Sequence, residues 1–335
     1  MYLKKLHLIF FSFLLISFNQ AFANIDNSKS KDTFISNNIE YVEKELEINI
    51  KDGKILGTLN LPNNFTNGTI ALIVPGSGSI NRDGNDLKIN LNTNSYKYIS
   101  QELAKDKIAS FRFDKRYLHP EKINNFNLSN ITLEDGINDL ISIIKFFKND
   151  KRFNKIILLG HSEGSLISII SAEKEKVNGF VSIAGLGKEA GEVLLEQLKK
   201  PNIDQEELNY IIKNLKEGKL VNDIKDPTLK FVFATKSQNY LISWLKYSPA
   251  KEIKNLNCDI QIIQGTTDLQ VSVANAIELN SSNKNSKIEI IENMNHILKD
   301  APIDVSENLK TYINPNLPLN KKIMPLIIKF INNIK

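Results

Sequence analysis

Ile156-Ile157-Leu158-Leu159-Gly160-His161-Ser162-Glu163-Gly164-Ser165-Leu166 is the stretch that decides how this chain folds. Residues 156–159 are apolar without alternation, the pattern of a strand covered on both faces in a parallel sheet. A Gly-x-Ser-x-Gly pentapeptide follows at once, and a helical run then extends from Leu166 to Glu173. A serine between such a strand and such a helix stands on a sharp corner with its hydroxyl outward. Glycines two places either side let the backbone pass closely there. The pentapeptide alone is also compatible with a bare turn; its flanks give it a mechanical meaning.

Working outward, the same alternation recurs. Thr69 to Pro75 (TIALIVP) is apolar on both faces and ends in Gly76-Ser77-Gly78-Ser79. Tyr96 to Leu103 has helical spacing, Ile108 to Phe113 reads as a strand, and Leu133 to Phe147 as an amphipathic helix with Thr132 at its N-cap and Asp135 at N3. Phe180 to Ala184, Ile260 to Gln264 and Lys287 to Ile291 are further strands, and Met324 to Ile334 closes the chain with a helix. Before them, Val42 to Ile50 and Ile55 to Leu61 form half-buried strands around the Asp52-Gly53 turn. Strand and helix alternating at these distances predict an α/β fold, a mostly parallel central sheet flanked by helices. The rhythm lapses over residues 188–256, which read as helices throughout. The expected organisation is a core of residues 41–187 and 257–335 with a helical cap inserted at 188–256, over the carboxyl ends of the strands, where open parallel sheets bind ligands.

The first residues read as an export signal. Lys4 and Lys5 precede an apolar run from Leu8 to Phe18, and Ala21-Phe22-Ala23 is a small-x-small cleavage pattern. That run is shorter than the roughly 20 residues a membrane span needs. The expectation is a signal peptide over residues 1–23, a flexible arm over 24–40, and an exported, periplasmic or extracellular protein with no stable membrane span after cleavage. Net charge is +5, with acidic and basic residues mixed along the chain, and no basic stripe with interleaved aromatics argues for a nucleic-acid partner. Cys258 is the single cysteine, so an internal disulfide is impossible and a cysteine-rich metal site is excluded. The four histidines are scattered, with no His-Glu-x-x-His helix, so neither a metal site nor a cofactor is expected.

A serine hydroxyl needs a base, and the base needs an acid to hold it. On strand–corner–helix scaffolds of this kind the order along the chain is serine, acid, histidine. His296, just beyond the strand ending at Ile291, is the histidine placed late enough. His7 lies in the leader, His119 precedes the serine, and His161 at the corner must point away from it. Asp268 follows the apolar run of residues 260–264 and is the expected acid; Asp259, at the far end of that strand, is a weaker rival, and a turn aspartate capping the next helix is the plain alternative. The expected catalytic set is therefore Ser162, Asp268 and His296. Two backbone N–H groups must hold an oxyanion. Glu163 supplies one and Ser77, or else Gly78, the other. The glycine-rich loop could instead cradle phosphate, but it lacks the Gly-x-Gly-x-x-Gly spacing, and no Lys-Ser/Thr pair follows.

The chain resembles the bacterial esterases of the α/β-hydrolase family, in the branch related to serine aminopeptidase-like hydrolases. The resemblance rests on residues 76–85 (GSGSINRDGN), on Arg112-Phe113-Asp114-Lys115-Arg116, and on Gly160-His161-Ser162-Glu163-Gly164. It continues through Gly265-Thr266-Thr267-Asp268-Leu269-Gln270-Val271, Met294-Asn295-His296 and Leu317-Pro318-Leu319. It implies the α/β-hydrolase fold, the Ser162–Asp268–His296 triad, helices roofing an acyl pocket, and a small-molecule carboxylic ester of short or medium acyl length as substrate. Peptidase and thioesterase chemistry use the same residues, and the fold can also serve as a non-catalytic binder. Asn81 stands where the family commonly has Asp, and Tyr117 where it has Gly, so the loop beside the oxyanion and the pocket entrance differ. Arg82 and Asp83 are read as a structural pair pinning the glycine-rich loop, and Asp114, Lys115 and Arg116 as loop scaffolding.

Overall fold

The computed structural model describes residues 41–334; the signal peptide and arm expected over residues 1–40 lie outside the described residues. Strands β1 (Tyr41–Ile50), β2 (Gly53–Pro62), β3 (Gly68–Val74), β4 (Ala109–Phe113), β5 (Phe153–His161), β6 (Gly179–Ile183), β7 (Asp259–Gly265) and β8 (Ser286–Ile291) form one sheet. Their order is β1-β2-β4-β3-β5-β6-β7-β8. β1, β2 and β4 pair antiparallel; from β4 to β8 every pairing is parallel. The sheet is thus mixed and mostly parallel, as the alternation of strands and helices predicts.

Helices α1 (Ser95–Lys105), α2 (Leu133–Lys148) and α3 (Glu163–Lys174) cross between the early strands. Helices α4 (Ala190–Gln197), α5 (Gln205–Lys216), α6 (Pro227–Val232), α7 (Thr235–Trp244) and α8 (Pro249–Glu252) separate β6 from β7, and α9 (Val273–Ser282), α10 (Val305–Lys310) and α11 (Ile323–Asn333) follow. The two faces of the sheet explain why the central strands lack a polar side. Along β5, Ile156 and Leu158 join one apolar cluster with Leu140, Ile144, Ile167 and Ile170 of α2 and α3. Ile157 and Leu159 point the other way, toward Ile99 and Leu103 of α1 and Ile327 and Ile331 of α11. Asp135 does what a residue at N3 should do: its carboxylate accepts from the Thr132 N–H at 2.8 Å and secures the start of α2.

α6 lies within the stretch that reads as helical, but like α8 and α10 it is too short for periodicity to give its bounds. Its signal is local instead. Pro227 sits at the first position, and the Asp226 carboxylate accepts from the N–H groups of Thr228 and Leu229 at 2.7 and 3.0 Å. The α4–α8 segment is anchored to the rest of the chain by specific polar contacts. Ser243 Oγ accepts from the Leu133 N–H at 2.7 Å, Asn239 donates to the Ser129 carbonyl at 2.7 Å, and Gln197 donates to the Gln270 carbonyl at 2.8 Å.

Parallel register brings the ends of five strands to one edge. Val74 lies beside Gly160, His161 beside Ile183, Ile183 beside Ile263, and Gly265 beside Ile291. The loops carrying Ser77, Ser162, Asp268 and His296 all leave the sheet there.

Just past that edge Lys299 is fully buried. Its ammonium donates to the Leu317 carbonyl at 2.5 Å and lies 4.5 Å from the centre of the Tyr98 ring. Burial pulls it down to about 8, from 10.5 for an ordinary lysine. Between those two pH values the unfolded chain holds more protons than the folded one, so stability rises with pH across the window. Denaturant titrations of wild type and Lys299→Met from about pH 7 to about pH 10.5 should therefore show the difference moving toward wild type, by about 2–3 kcal/mol. A difference that stays flat would mean that the amine titrates normally in the folded protein.

Candidate active site

Ser162 takes φ 55° and ψ −122°, a conformation that non-glycine residues rarely adopt. The strain is held from both sides: the Ser162 N–H donates to the Ile183 carbonyl of β6 at 2.9 Å, and its carbonyl accepts the Ser165 N–H at 2.9 Å. The two glycines of the pentapeptide are obligatory for packing. A Cβ on Gly160 would lie 2.6 Å from the Gly164 carbonyl oxygen and 2.7 Å from the Ser165 Cα. One on Gly164 would lie 2.4 Å from the Val74 carbonyl oxygen. The first α3 turn is thereby pressed against the ends of β3 and β5.

Asp268 and His296 meet directly. His296 Nδ1 lies 2.8 Å from Asp268 Oδ2, and both side chains are essentially inaccessible to solvent. The other carboxylate oxygen, Oδ1, accepts the N–H groups of Gln270 and Val271 at 2.8 and 2.9 Å, and Gln264 donates to Oδ2 at 3.0 Å. Burial opposes the charge on Asp268, but His296 and these N–H donors outweigh it and hold the carboxyl below its ordinary range. Asp268 is thus kept as an anion that accepts from Nδ1 of His296. Asp259, the rival acid, is exposed at the far end of β7.

His161 points away from the serine, as the sequence requires, but it has work that periodicity does not reveal. Its Nε2 lies 2.8 Å from the carbonyl oxygen of His296, and its Nδ1 lies 2.8 Å from the Tyr96 hydroxyl. That hydroxyl in turn accepts the Gly76 N–H at 3.0 Å. Burial first, and the neighbouring His296 second, push His161 down to about 3, so it stays neutral. A neutral ring donating from Nε2 and accepting at Nδ1 satisfies every partner.

The glycine-rich loop is pinned at three points. A Cβ built on Gly76 would lie 3.2 Å from the Cβ of Ser162, which places that residue against the corner. The Gly76 N–H goes to Tyr96, its carbonyl accepts a short bond from the Lys115 ammonium, and the Gly78 carbonyl accepts from the Tyr117 hydroxyl at 2.7 Å. Ser77 is buried between these anchors. Lys115 also lies 3.5 Å from Glu163 Oε1 and 5.3 Å from the centre of the Tyr117 ring. Burial pulls the Lys115 ammonium below its ordinary range, while Glu163 opposes the shift. Tyr117, which replaces a glycine common among the resembled esterases, therefore acts as a strut for this loop.

Arg82 and Asp83 pin the loop, though not by pairing with each other. Arg82 grips Asp114 through Nε at 2.9 Å and Nη2 at 2.7 Å, while its own N–H donates to the same carboxylate at 2.7 Å. Asp83 takes Arg112 Nε at 2.9 Å. His119 closes on Asp114 at 2.9 Å, and Arg116 forks onto Asp139 at 2.6 and 2.9 Å. Among the described residues no group of three or more His, Cys, Asp or Glu side chains is arranged to hold a metal ion, and no helix is long and apolar enough to cross a membrane.

Comparison with known proteins adds to this geometry. Over 93% of this chain and 98% of the other, the structure superposes on esterase PF2001 of Pyrococcus furiosus with a TM-score of 0.57 at 14% identity. Est1E of Butyrivibrio proteoclasticus, solved with ferulic acid bound, matches over 85% of this chain and 96% of its own, with a TM-score of 0.56 at 14% identity. The chain has the α/β-hydrolase fold. Among curated proteins this α/β-hydrolase chain is similar to esterase EstD of Thermotoga maritima, 26% identical over 281 residues, or 79% of this chain. The match covers 63% of EstD, so the chain spans less than two thirds of that relative's length. No protein-family model matches the chain. The chain is thus similar to esterases that share this fold.

Proposed function

We propose that this protein is a serine hydrolase that cleaves carboxylic esters of short or medium acyl length, with Ser162 as nucleophile, His296 as base and Asp268 as acid. The observation that carries the reading is the buried 2.8 Å contact between His296 Nδ1 and Asp268 Oδ2, on loops leaving the same sheet edge as the strained Ser162 corner. Ser162 attacks the ester carbonyl while His296 Nε2 takes its proton. The Ser77 and Glu163 N–H groups stabilise the tetrahedral oxyanion, and His296 returns the proton to the departing alkoxide. Water then repeats the cycle on the acyl-enzyme and releases a carboxylic acid. The chemistry requires neither metal nor organic cofactor.

The α4–α8 segment serves as the cap in this reading. Tyr240 of α7 lines the same small cavity as Pro75, Lys115 and Tyr117, and its hydroxyl meets the Glu163 carboxylate. An aminopeptidase would need carboxylates from this segment to bind a terminal amine. Glu189 is instead paired with Lys216 and Glu196 with Lys188, and Glu192 is exposed. These pairings favour the esterase reading.

Initial rates on aryl esters of increasing acyl length, beside aminoacyl anilides, test the proposal. Turnover should peak at one acyl length, and a fluorophosphonate probe should add its mass to the peptide containing Ser162. Anilide cleavage without ester cleavage would replace the reading with a peptidase, and a protein silent on both and unlabelled would be a binder.

A further inference from the structure

The Gly76–Ser77 peptide is gripped in a way that the triad chemistry does not by itself require. In a trans peptide the carbonyl and the following N–H lie in one plane and point in opposite directions, and no cis peptide occurs among the described residues. The Gly76 carbonyl accepts from the buried Lys115 ammonium, so the Ser77 N–H is aimed away from Lys115. Lys115 also reaches the Glu163 carboxylate, and Glu163 is the residue whose own N–H is the other proposed oxyanion donor. One ammonium thus ties together the two chain segments that must converge on a single oxygen.

We propose that Lys115 is a positioning residue for ester hydrolysis, an internal cation that fixes the plane of the Gly76–Ser77 peptide and strengthens its N–H as an oxyanion donor. The inference rests on the serine-hydrolase reading. Two physical effects are involved. Rotating the peptide would break a charge-assisted hydrogen bond in a buried site, where such a bond is about twice as strong as a neutral one. A cation on the carbonyl also polarises the amide, and the N–H of that amide becomes a better donor to a developing negative charge. Both effects grow as charge accumulates on the substrate oxygen, so they act on the transition state more than on ester binding. Tyr117 and Glu163 flank the ammonium, and burial with these partners keeps it in a single place.

The test compares wild type, Lys115→Met and the double variant Lys115→Met/Glu163→Gln, which leaves no unpaired buried charge. Thermal melting establishes that each is folded. For each, kcat and KM are measured on the best aryl ester, together with the affinity for an arylboronic acid that forms a tetrahedral adduct on serine. Expected is a fall in kcat of about 30- to 100-fold in the folded double variant, with KM within about twofold and boronate affinity falling in parallel. Fluorophosphonate labelling of Ser162 should persist, more slowly. A folded double variant whose kcat stays within about threefold of wild type, or one that loses only KM, would overturn the role of Lys115 while leaving the hydrolase reading intact. A wild-type protein with no ester turnover and no label on Ser162 would overturn that reading itself, and the inference with it.

Discussion

Ser162→Ala is expected to reduce ester turnover by about 10⁵- to 10⁶-fold while leaving the melting temperature nearly unchanged. The first half follows from the loss of the attacking oxygen; what remains is the weak catalysis that oxyanion donors and binding give to water. The second half follows from local geometry. Serine and alanine pay similar strain at φ 55°, and the anchors of the corner, the Ile183 carbonyl and the Ser165 N–H, engage the backbone of residue 162 rather than its side chain. The variant therefore separates chemistry from folding. Turnover above about 1% of wild type in a cleanly folded Ser162→Ala protein would move the nucleophile elsewhere.

Asp268→Asn should lower kcat by about 10⁴-fold with little change in KM. The direction comes from the hydrogen-bond pattern. Oδ1 of residue 268 accepts two backbone N–H groups, so an asparagine must keep its oxygen there and put its NH₂ where Oδ2 stood. That NH₂ then faces His296 Nδ1 as a donor, and it faces the Gln264 side-chain amide as well. His296 must answer with an unprotonated Nδ1, which moves its proton to Nε2, the atom that should receive one from Ser162. The geometry survives and the tautomer is wrong. Steady-state kinetics on the best aryl ester, with fluorophosphonate labelling of Ser162 slowed in step, checks this. A loss of less than about tenfold would show that another carboxylate orients the histidine.

How much of this was legible beforehand depends on whether a feature is local. The apolar strand at 156–159, the glycine spacing at 160 and 164, and the carboxylate after the 260–264 run carry their meaning within a dozen residues, and the mostly parallel sheet follows from the alternation of strands and helices, though the strand order does not. The helical segment between β6 and β7 was visible as a lapse in strand rhythm. Within that segment the bounds of α6 are not readable because six residues give no periodicity, although Asp226-Pro227 marks its start. The supports of the site could not be read in the same way. Tyr96 stands 65 residues from His161, and His161 stands 135 from the carbonyl it meets. Tyr96 looks like an ordinary apolar position on α1, and Lys115 like one charge in a charged run. Nothing in their neighbourhoods announces partners that arrive only when the sheet closes.

The chain of contacts from the Gly76 N–H through Tyr96 and His161 to the His296 carbonyl has a one-way sense. Its first member can only give a proton and its last can only receive one, so the hydroxyl and imidazole between them have a single allowed orientation. Two imidazoles whose ring centres lie 4.7 Å apart would ordinarily compete to carry the same proton. Here one ring is wired as a conductor of orientation and cannot exchange its tautomer without breaking a bond at each end. In the proposed reaction, proton traffic therefore has one lane, and it runs through His296.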